Sequence, residues 1–115
     1  NELAGRIKEA RDFIHNNYYK LISIEDIAES LNINKFYLIR CFKEATGFTP
    51  YEYISKLRIE KAKELLSKTQ MSISRIGKAC GFQSISGFSN FFHKETGYSP
   101  SKFRKENNLN IKLYT

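Results

Sequence analysis

The chain contains very few residues that could build a catalytic or metal-binding site. Its 115 residues include only two histidines, His15 and His93, and only two aspartates. No cysteine or carboxylate cluster accompanies either histidine at metal-ligand spacing. Phosphate-binding glycine loops, zinc-protease signatures and hydrolase nucleophile motifs are also missing. The sequence therefore predicts a protein that is not an enzyme and that requires no metal or cofactor.

Cysteines and long apolar runs are equally scarce. Cys41 and Cys80 each fall inside an apolar helical pattern, which is typical of buried, reduced thiols in a cytoplasmic protein rather than of a disulfide framework. No apolar run reaches the length of a membrane span, and no secretory signal is visible. The single methionine is Met71, so we expect a processed chain or a piece of a longer protein. These features favour a cytoplasmic protein that does not contact a membrane.

The charge of the chain is positive and unevenly distributed. Nineteen basic residues against 12 acidic ones give a net charge of +7. Residues 1–50 hold seven residues of each sign, whereas residues 51–115 hold twelve basic and five acidic residues. Such an excess is typical of proteins that bind nucleic acid or another anionic surface. On charge alone, a basic domain without a polyanionic partner remains an alternative.

Both prolines of the chain fall in a repeated segment. Gly47-Phe48-Thr49-Pro50 returns fifty residues later as Gly97-Tyr98-Ser99-Pro100. In each segment, we expect the glycine to end a helix in the left-handed conformation and the Thr-Pro or Ser-Pro pair to begin the next helix. Apolar positions ahead of the two segments also match, with one extra residue in the second copy. The pattern indicates an internal duplication of about 30 residues.

Each copy divides into two short helices joined by a tight turn. In the first copy, Ser23 and Asn34 are the predicted N-caps of the two helices. The apolar positions of these helices are Ile24, Ile27, Ala28 and Leu31, then Leu38, Cys41, Phe42 and Ala45. The second copy repeats the pattern with Ile73, Ile76 and Cys80, then Phe88, Phe91 and Phe92, followed by Glu95 at the position of Ala45. A short helix, a tight turn and a second helix form the helix-turn-helix layout.

The other segments complete an all-α fold of about seven helices. Helical periodicity predicts helices over residues 3–17, 50–67 and 100–106, and no alternating β-branched run predicts a strand. The predicted organisation has two helix-turn-helix subdomains that are bridged by a long connector helix. Its boundaries are 1–50 for the first subdomain, 51–68 for the connector, 69–106 for the second subdomain and 107–115 for a tail.

The exposed face of the second helix in the first copy has the composition of a DNA-reading surface. The second helix of a helix-turn-helix enters the major groove with its N-terminal residues at the base edges. No acidic residue lies between Asn34 and Lys43. Arg40 suits guanine, Phe36 or Ile39 suits a thymine methyl group, and Lys35 and Lys43 suit phosphates. The alternative is a solvated basic face whose aromatic side chains lean on a neighbour.

The corresponding face in the second copy is more weakly charged. Its predicted exposed residues are Ser84, Ile85, Ser86, Ser89, Asn90 and His93. Asn90 suits adenine, and the serines suit a base or a phosphate. Gly87 weakens this helix by up to ~1 kcal/mol relative to alanine. We therefore expect a less discriminating reader in this copy, and a role for His93 as a plain surface histidine is an equal alternative.

From about residue 5 to residue 106, the sequence resembles the DNA-binding domain of the AraC/XylS family of bacterial transcription regulators. The most specific matches are Gly81-Phe82, Phe88, Phe92, Gly97, Ser99-Pro100 and Phe103-Arg104. The first copy and the connector add Leu38, Arg40, Phe42, Lys43, Gly47, Pro50, Arg58, Ala62 and Leu65-Leu66. The chain departs from residues that are frequent in the family at Ile39, Gly87, Asn90 and His93.

The resemblance implies two recognition helices that enter successive major-groove segments on one face of double-stranded DNA. The base contacts that it implies are Phe36, Ile39 and Arg40 in the first copy and Ile85, Ser86, Ser89 and Asn90 in the second, with Asn34 and Lys35 near the DNA backbone. It also implies RNA polymerase as a partner and an effector, if any, that is bound by a domain outside this chain.

The sequence thus predicts a sequence-specific double-stranded DNA-binding domain of a bacterial transcription regulator that acts as an activator. Two alternatives belong to other classes. A protein-interaction module would lack salt-sensitive DNA binding. A non-specific nucleic-acid binder would bind DNA without a sequence preference.

Overall fold

Seven α-helices and no strand occur in residues 2–108, which are the residues that the computed structural model describes. The helices are α1 (Glu2–Asn17), α2 (Ile24–Ser30), α3 (Lys35–Thr46), α4 (Pro50–Lys68), α5 (Ile73–Ala79), α6 (Ile85–Thr96) and α7 (Pro100–Asn107). The all-α prediction is confirmed, and each of the three helices predicted outside the two copies has its ends within one residue of the prediction. Of the predicted tail, residues 109–115 lie outside the described residues.

Local side-chain caps explain where the helices begin and end. At the start of α2, the Ser23 hydroxyl accepts a hydrogen bond from the Asp26 backbone N–H at 3.0 Å, and the Asp26 carboxylate accepts one from the Ser23 backbone N–H at 2.9 Å. These two bonds satisfy backbone donors that the first turn of a helix leaves free. At the ends of α3 and α6, Gly47 (φ 84°) and Gly97 (φ 82°) adopt the left-handed conformation. The glycine prediction from the repeat is confirmed.

Contacts between residues divide the chain into two units inside α4, between Leu57 and Arg58. Each unit has its own hydrophobic core. The first core contains Ile7, Ala10, Ile14, Ile27, Ala28, Leu38, Cys41, Phe42 and Ile54. The second core contains Ile59, Ala62, Leu66, Ile76, Cys80, Phe88 and Phe92. The helix α4 contributes residues to both cores. The predicted subdomain boundaries at residues 50, 68 and 106 stay a prediction.

The first unit packs α3 against α1, α2 and the first turns of α4. The Phe42 ring lies edge-on to the Tyr53 ring, with 5.4 Å between their centroids. The Tyr53 hydroxyl is 2.7 Å from His15 Nε2, which ties α4 to α1. Ala45, which the periodicity assigns to the apolar face of α3, is exposed. This assignment is wrong, since the fully buried side chains of α3 end at Phe42.

The second unit has an aromatic core. The Phe88 ring contacts the rings of Phe82 and Phe92, with centroids 5.2 and 5.9 Å apart. The Arg58 guanidinium lies 5.8 Å from the centre of the Phe82 ring, so this arginine packs against the core. Cys80 is fully buried, and its burial raises the pKa of the thiol to about 11. A thiol in this environment stays protonated at neutral pH, as expected for a core residue.

Asn108, which follows α7, connects that helix to the end of α4. Only 1% of this residue is exposed, and its side-chain amide donates hydrogen bonds to the carbonyl oxygens of Leu66 (2.9 Å) and Thr69 (3.0 Å). The guanidinium Nε of Arg104 also donates to the Leu66 carbonyl, at 3.3 Å. Burial lowers the pKa of Arg104 from its usual value. The carbonyl of Leu66 near the end of α4 and that of Thr69 just after the helix are therefore satisfied by side chains from the end of α7 and the residue that follows it.

Candidate nucleic-acid interface

A left-handed residue forms the turn between α2 and α3. Asn32 has a φ of 54°, which few residues other than glycine adopt, although asparagine tolerates it better than most. The next residue, Ile33, donates its backbone N–H to the Ala28 carbonyl at 3.0 Å. The turn therefore folds back on the end of α2 and directs the chain into α3.

The turn between α5 and α6 is built in the same way. Gly81 has a φ of 97°, and Phe82 donates its backbone N–H to the Gly77 carbonyl at 2.9 Å. Gln83 then lies between this turn and the N-cap of α6, whereas Ile33 directly precedes the N-cap of α3. The extra residue of the second copy is therefore accommodated at Gln83, outside both helices.

Polar side chains cap both α3 and α6, which are the second helices of the two copies. The Asn34 side-chain oxygen accepts hydrogen bonds from the backbone N–H groups of Phe36 (2.9 Å) and Tyr37 (3.1 Å). The Ser84 hydroxyl accepts one from the backbone N–H of Gly87 at 3.0 Å. Asn34 and Ser84 are both exposed, and both are predicted DNA contacts. The acceptor side of each group is already used within the protein, while the Asn34 amide and the Ser84 hydroxyl proton can still donate to a phosphate.

The face of α3 that points away from the core combines aromatic and basic side chains. Phe36 is 71% exposed, and Arg40 and Lys43 are also exposed. Ile39 is half-buried, so only part of its side chain is accessible to a ligand. In contrast, Leu38 on the opposite face is completely buried. The structure thus brings the predicted contact residues of the first copy onto one exposed face.

Lys35 differs from the other predicted contacts of α3 because its ammonium group is already paired. Its Nζ lies 2.9 Å from Glu25 Oε1 and 5.0 Å from the centre of the Phe36 ring. The hydrogen bond from Lys35 is the main reason why the pKa of Glu25 is lowered. Before Lys35 could bind a phosphate, its ammonium group would have to leave or share this carboxylate.

Tyr37 is a candidate contact residue that the sequence reasoning missed. Its side chain is 42% exposed, and the Arg40 guanidinium lies 5.5 Å from the centre of its ring. A cation above an aromatic face is attracted to the ring, so Tyr37 restricts the orientations of Arg40. The spacing of three residues on one helix was the available signal, since residues three apart are neighbours on the helix surface.

The exposed face of α6 carries less charge than that of α3. Ile85 is 53% exposed, and Ser86, Asn90 and His93 are also exposed, whereas Ser89 is half-buried. No acidic residue occurs in α6 before Glu95. This helix offers short polar side chains and one aliphatic side chain, but it has no arginine.

Gly87 is the residue whose backbone N–H binds the Ser84 cap of α6. A Cβ atom at this position would lie 2.9 Å from the Ser84 hydroxyl oxygen, which is closer than such atoms normally approach. A side chain at this position would therefore require the Ser84 hydroxyl to shift. The first copy has Tyr37 at the corresponding position, where the longer Asn34 side chain caps the helix instead.

Within residues 2–108, no group of three or more His, Cys, Asp or Glu side chains is placed to hold a metal ion. The helices described for this chain also include none that is both long and apolar enough to cross a membrane.

Comparisons with known proteins agree with this architecture. A family model described as "Helix-turn-helix domain" matches residues 27–106. The chain is 38% identical over 106 residues to the lactose operon transcription activator of Staphylococcus xylosus, and this match covers 92% of the chain but only 38% of that protein.

Two solved structures are similar over nearly their whole length. The C-terminal domain of AraT, a response regulator from Geobacillus stearothermophilus, has a TM-score of 0.89 and 31% identity, and the match covers 95% of this chain and 91% of that one. A transcriptional regulator from Chromobacterium violaceum, described as containing an AraC-type DNA-binding domain, has a TM-score of 0.80 and 31% identity, with 92% and 95% covered. The duplicated helix-turn-helix, its caps and these similarities establish that the chain belongs to the AraC/XylS family of helix-turn-helix domains.

Proposed function

We propose that this chain is the sequence-specific double-stranded DNA-binding domain of a bacterial transcription regulator that acts as an activator. The observation that carries the proposal is the exposed face of α3, where Phe36, Arg40 and Lys43 lie on a capped helix that has no acidic residue from 34 to 43. This helix occupies the second position of a helix-turn-helix, which is the position that reads DNA. The description of the Staphylococcus xylosus relative as an operon transcription activator supports the same role.

In this proposal, α3 and α6 read successive major-groove segments of one DNA face. Arg40 pairs with guanine and Asn90 pairs with adenine, since these side chains match the hydrogen-bonding groups of those bases. The modules follow the predicted subdomains 1–50 and 69–106, joined by the connector 51–68. Most of the affinity comes from phosphate neutralisation, so the logarithm of the binding constant falls against log salt by roughly 0.9 per phosphate contacted.

Our proposals about the effector, the protein partner and the site of action of the regulator are based on family membership. Because the chain spans about 38% of the length of the Staphylococcus xylosus relative, we propose that a domain outside this sequence binds any effector. RNA polymerase is the proposed protein partner, because an activator of this family recruits it to the promoter. The proposed site of action is the cytoplasm of a bacterium, where the chromosome lies.

The test is selection of binding sites from a random duplex pool by the 115-residue chain at near-physiological salt. We expect a bipartite motif whose halves are about one helical turn apart, or ~34 Å. Retention on DNA without enrichment would favour a non-specific binder. No retention at all would favour the protein-interaction module.

Single substitutions then assign the reading residues. Arg40→Ala is expected to cost about 1–3 kcal/mol on the selected site and to relax the preference at one base pair. Asn90→Ala is expected to cost less, in the other half of the site, because a neutral amide makes weaker hydrogen bonds than a guanidinium. Binding is measured by titration of labelled duplexes that carry each base change.

Lys43→Ala tests a phosphate contact, and Lys8→Ala is its matched control for the loss of one positive charge. Lys43→Ala should weaken binding to all sequences uniformly and should reduce the salt slope by about 1. Lys8 is exposed on α1 and pairs with Asp12 at 3.3 Å, so its removal should leave both the base preference and the salt slope unchanged. If Arg40→Ala weakened all sequences equally, Arg40 would be a phosphate contact and the proposed base assignment would be wrong.

A further inference from the structure

The ammonium group of Lys35 is paired with a carboxylate of the preceding helix. Its Nζ lies 2.9 Å from Oε1 of Glu25, which is the second residue of α2. The side chains of Lys35 and Glu25 are 37% and 64% exposed, so water reaches both ends of the pair. Ion pairs of this kind contribute little in water, and a competing anion can therefore replace the carboxylate at low cost.

The helix-turn-helix does not need this ion pair in order to fold. In the second copy, Ser74 stands at the position of Glu25 and Ile85 stands at the position of Lys35. The helices α5 and α6 nevertheless have the same lengths as α2 and α3, seven and twelve residues. The pair is therefore an additional feature of the first copy, and its presence calls for another explanation than the fold.

The surroundings of Lys35 favour a phosphate group as the competing anion. Lys35 is the first residue of α3, and this is the end of a helix where the backbone dipole favours negative charge. Arg40 and Lys43 are exposed on the same helix, and no acidic residue lies between positions 34 and 43. These cations attract a polyanion to the face that Lys35 adjoins. In the free protein, Glu25 thus supplies the negative charge that a phosphate would supply in a complex with DNA.

We propose that Glu25 limits the affinity of the first copy for DNA by competing with a backbone phosphate for Lys35. This inference rests on the proposed function, because it requires α3 to face DNA. When DNA binds, the ammonium group of Lys35 exchanges its carboxylate partner for a phosphate. The new contact adds less affinity than a free lysine would add, since the old contact is lost. Glu25 is a positioning residue that acts through Lys35 and makes no contact with DNA itself.

Glu25→Gln tests the proposal, because it removes the negative charge and nearly keeps the shape of the side chain. The probe is the labelled duplex enriched from the random pool, titrated at near-physiological salt. We expect Glu25→Gln to bind about two- to fivefold more tightly than the parent, as the loss of a competing exposed ion pair predicts. The preference among duplexes with single base changes should stay the same, since a phosphate contact carries no sequence information.

Glu29→Gln is the matched control for the charge. Glu29 is exposed on α2, one turn after Glu25, whereas the ion pair of Lys35 is with Glu25. The same change of charge at Glu29 removes only a general repulsion between α2 and DNA. Because salt screens such a repulsion, Glu29→Gln should increase the affinity much less than Glu25→Gln does.

Lys35→Gln tests whether the effect of Glu25 passes through the ammonium group. This variant should bind more weakly than the parent and should reduce the salt slope by about 1, as expected for one lost phosphate contact. Glu25→Gln added to Lys35→Gln should give no larger gain than Glu29→Gln, because no ammonium group is left to release. Since the second copy folds without either charge, all these variants should keep the helical circular dichroism of the parent.

The outcomes separate this inference from the proposed function. Weaker binding by Glu25→Gln overturns the inference, because Glu25 would then hold Lys35 in place for the phosphate. Equal gains for Glu25→Gln and Glu29→Gln, or an equal gain with and without Lys35, also overturn it, since general repulsion would then explain the effect. An unchanged affinity and salt slope in Lys35→Gln overturns it as well.

DNA binding without any base preference would overturn the sequence-specific function alone. The variants would then be compared on an arbitrary duplex, and the same order of affinities would support the inference. Failure of the parent to retain any duplex overturns both the proposed function and the inference.

Discussion

The two copies of the helix-turn-helix share their backbone geometry and differ in the side chains that it carries. Both turns contain one residue of positive φ, Asn32 or Gly81, and in both the following N–H returns to the end of the preceding helix. Both recognition helices begin at a polar cap and end at a left-handed glycine. The comparison teaches that the same caps and turn contacts occur with different core and surface side chains.

The cores of the copies differ by a compensating exchange of volume. The first copy pairs Ala28 with Leu38, and the second copy pairs Gly77 with Phe88 at the same positions. A Cβ at Gly77 would lie 3.1–3.2 Å from three side-chain atoms of Phe88, so the larger ring occupies the space that the methyl group would need. Cores tolerate such exchanges when the total volume is kept.

The surfaces of the copies differ in charge and in the functional groups on offer. Residues 1–50 hold equal numbers of basic and acidic residues, whereas residues 51–115 hold twelve basic and five acidic ones. The recognition helix of the neutral part carries the arginine and the exposed aromatic rings, and α6 in the basic part carries serines and an asparagine. The excess of positive charge thus lies in the half of the chain whose helix α6 has the less charged exposed face.

The largest expected effect is the loss of the aromatic ring in the second core. Phe88→Ala should cost about 3–5 kcal/mol of stability, since it removes a fully buried ring. It also breaks the contacts with Phe82 and Phe92, which are worth about 0.5–1.5 kcal/mol each beyond simple burial. We therefore expect a larger loss than for Leu38→Ala, measured by urea denaturation of both variants. A larger loss for Leu38→Ala would show that the aromatic contacts of the second core add nothing.

The second prediction tests the volume exchange between the copies. Gly77→Ala should cost about 1–2 kcal/mol, because overpacking against Phe88 outweighs the gain of up to ~1 kcal/mol in helix propensity. Gly77→Ala with Phe88→Leu recreates the pair of the first copy and should be more stable than the sum of the single changes predicts. The measurement is a double-mutant cycle from urea denaturation. Additive costs, or stabilisation by Gly77→Ala alone, would show that the glycine is not required by the ring.

The smallest expected effect concerns the two turns. Asn32→Gly should stabilise the protein by about 0.5–1 kcal/mol, since glycine adopts a positive φ without the steric cost that side chains meet. Gly81→Asn, the reverse exchange in the other copy, should destabilise it by a similar amount. Thermal unfolding of the two variants measures both effects. A lower melting temperature for Asn32→Gly would mean that the Asn32 side chain contributes to the turn.

Much of the backbone could be predicted because it depends on neighbouring residues. The capping box of Ser23 with Asp26, the Asn34 cap and the left-handed Gly47 and Gly97 are signals that extend over four residues or fewer. The position of Asn32 in the left-handed region was not predicted, because asparagine adopts this conformation only when the surrounding turn requires it.

Side-chain partners in the candidate site were less predictable. The ion pair between Lys35 and Glu25 joins two helices. It depends on how these helices pack, so it cannot be predicted from the spacing of the two residues in the sequence. The exposed residues of α3 could be predicted from helical periodicity, with Tyr37 as the omission and the exposed Ala45 as the error in the apolar face. Which of these residues contact DNA stays a prediction.

The buried amide of Asn108 determines where this domain can be cut or fused. A sequence-based boundary after residue 106 would remove the two hydrogen bonds that the Asn108 amide donates to the carbonyls of Leu66 and Thr69, while the bond from Arg104 to the Leu66 carbonyl would remain. Any fusion partner, purification tag or shortened version of the regulator should therefore be joined beyond residue 108. For the design of new two-module DNA binders from this scaffold, Asn108 belongs to the domain rather than to the linker.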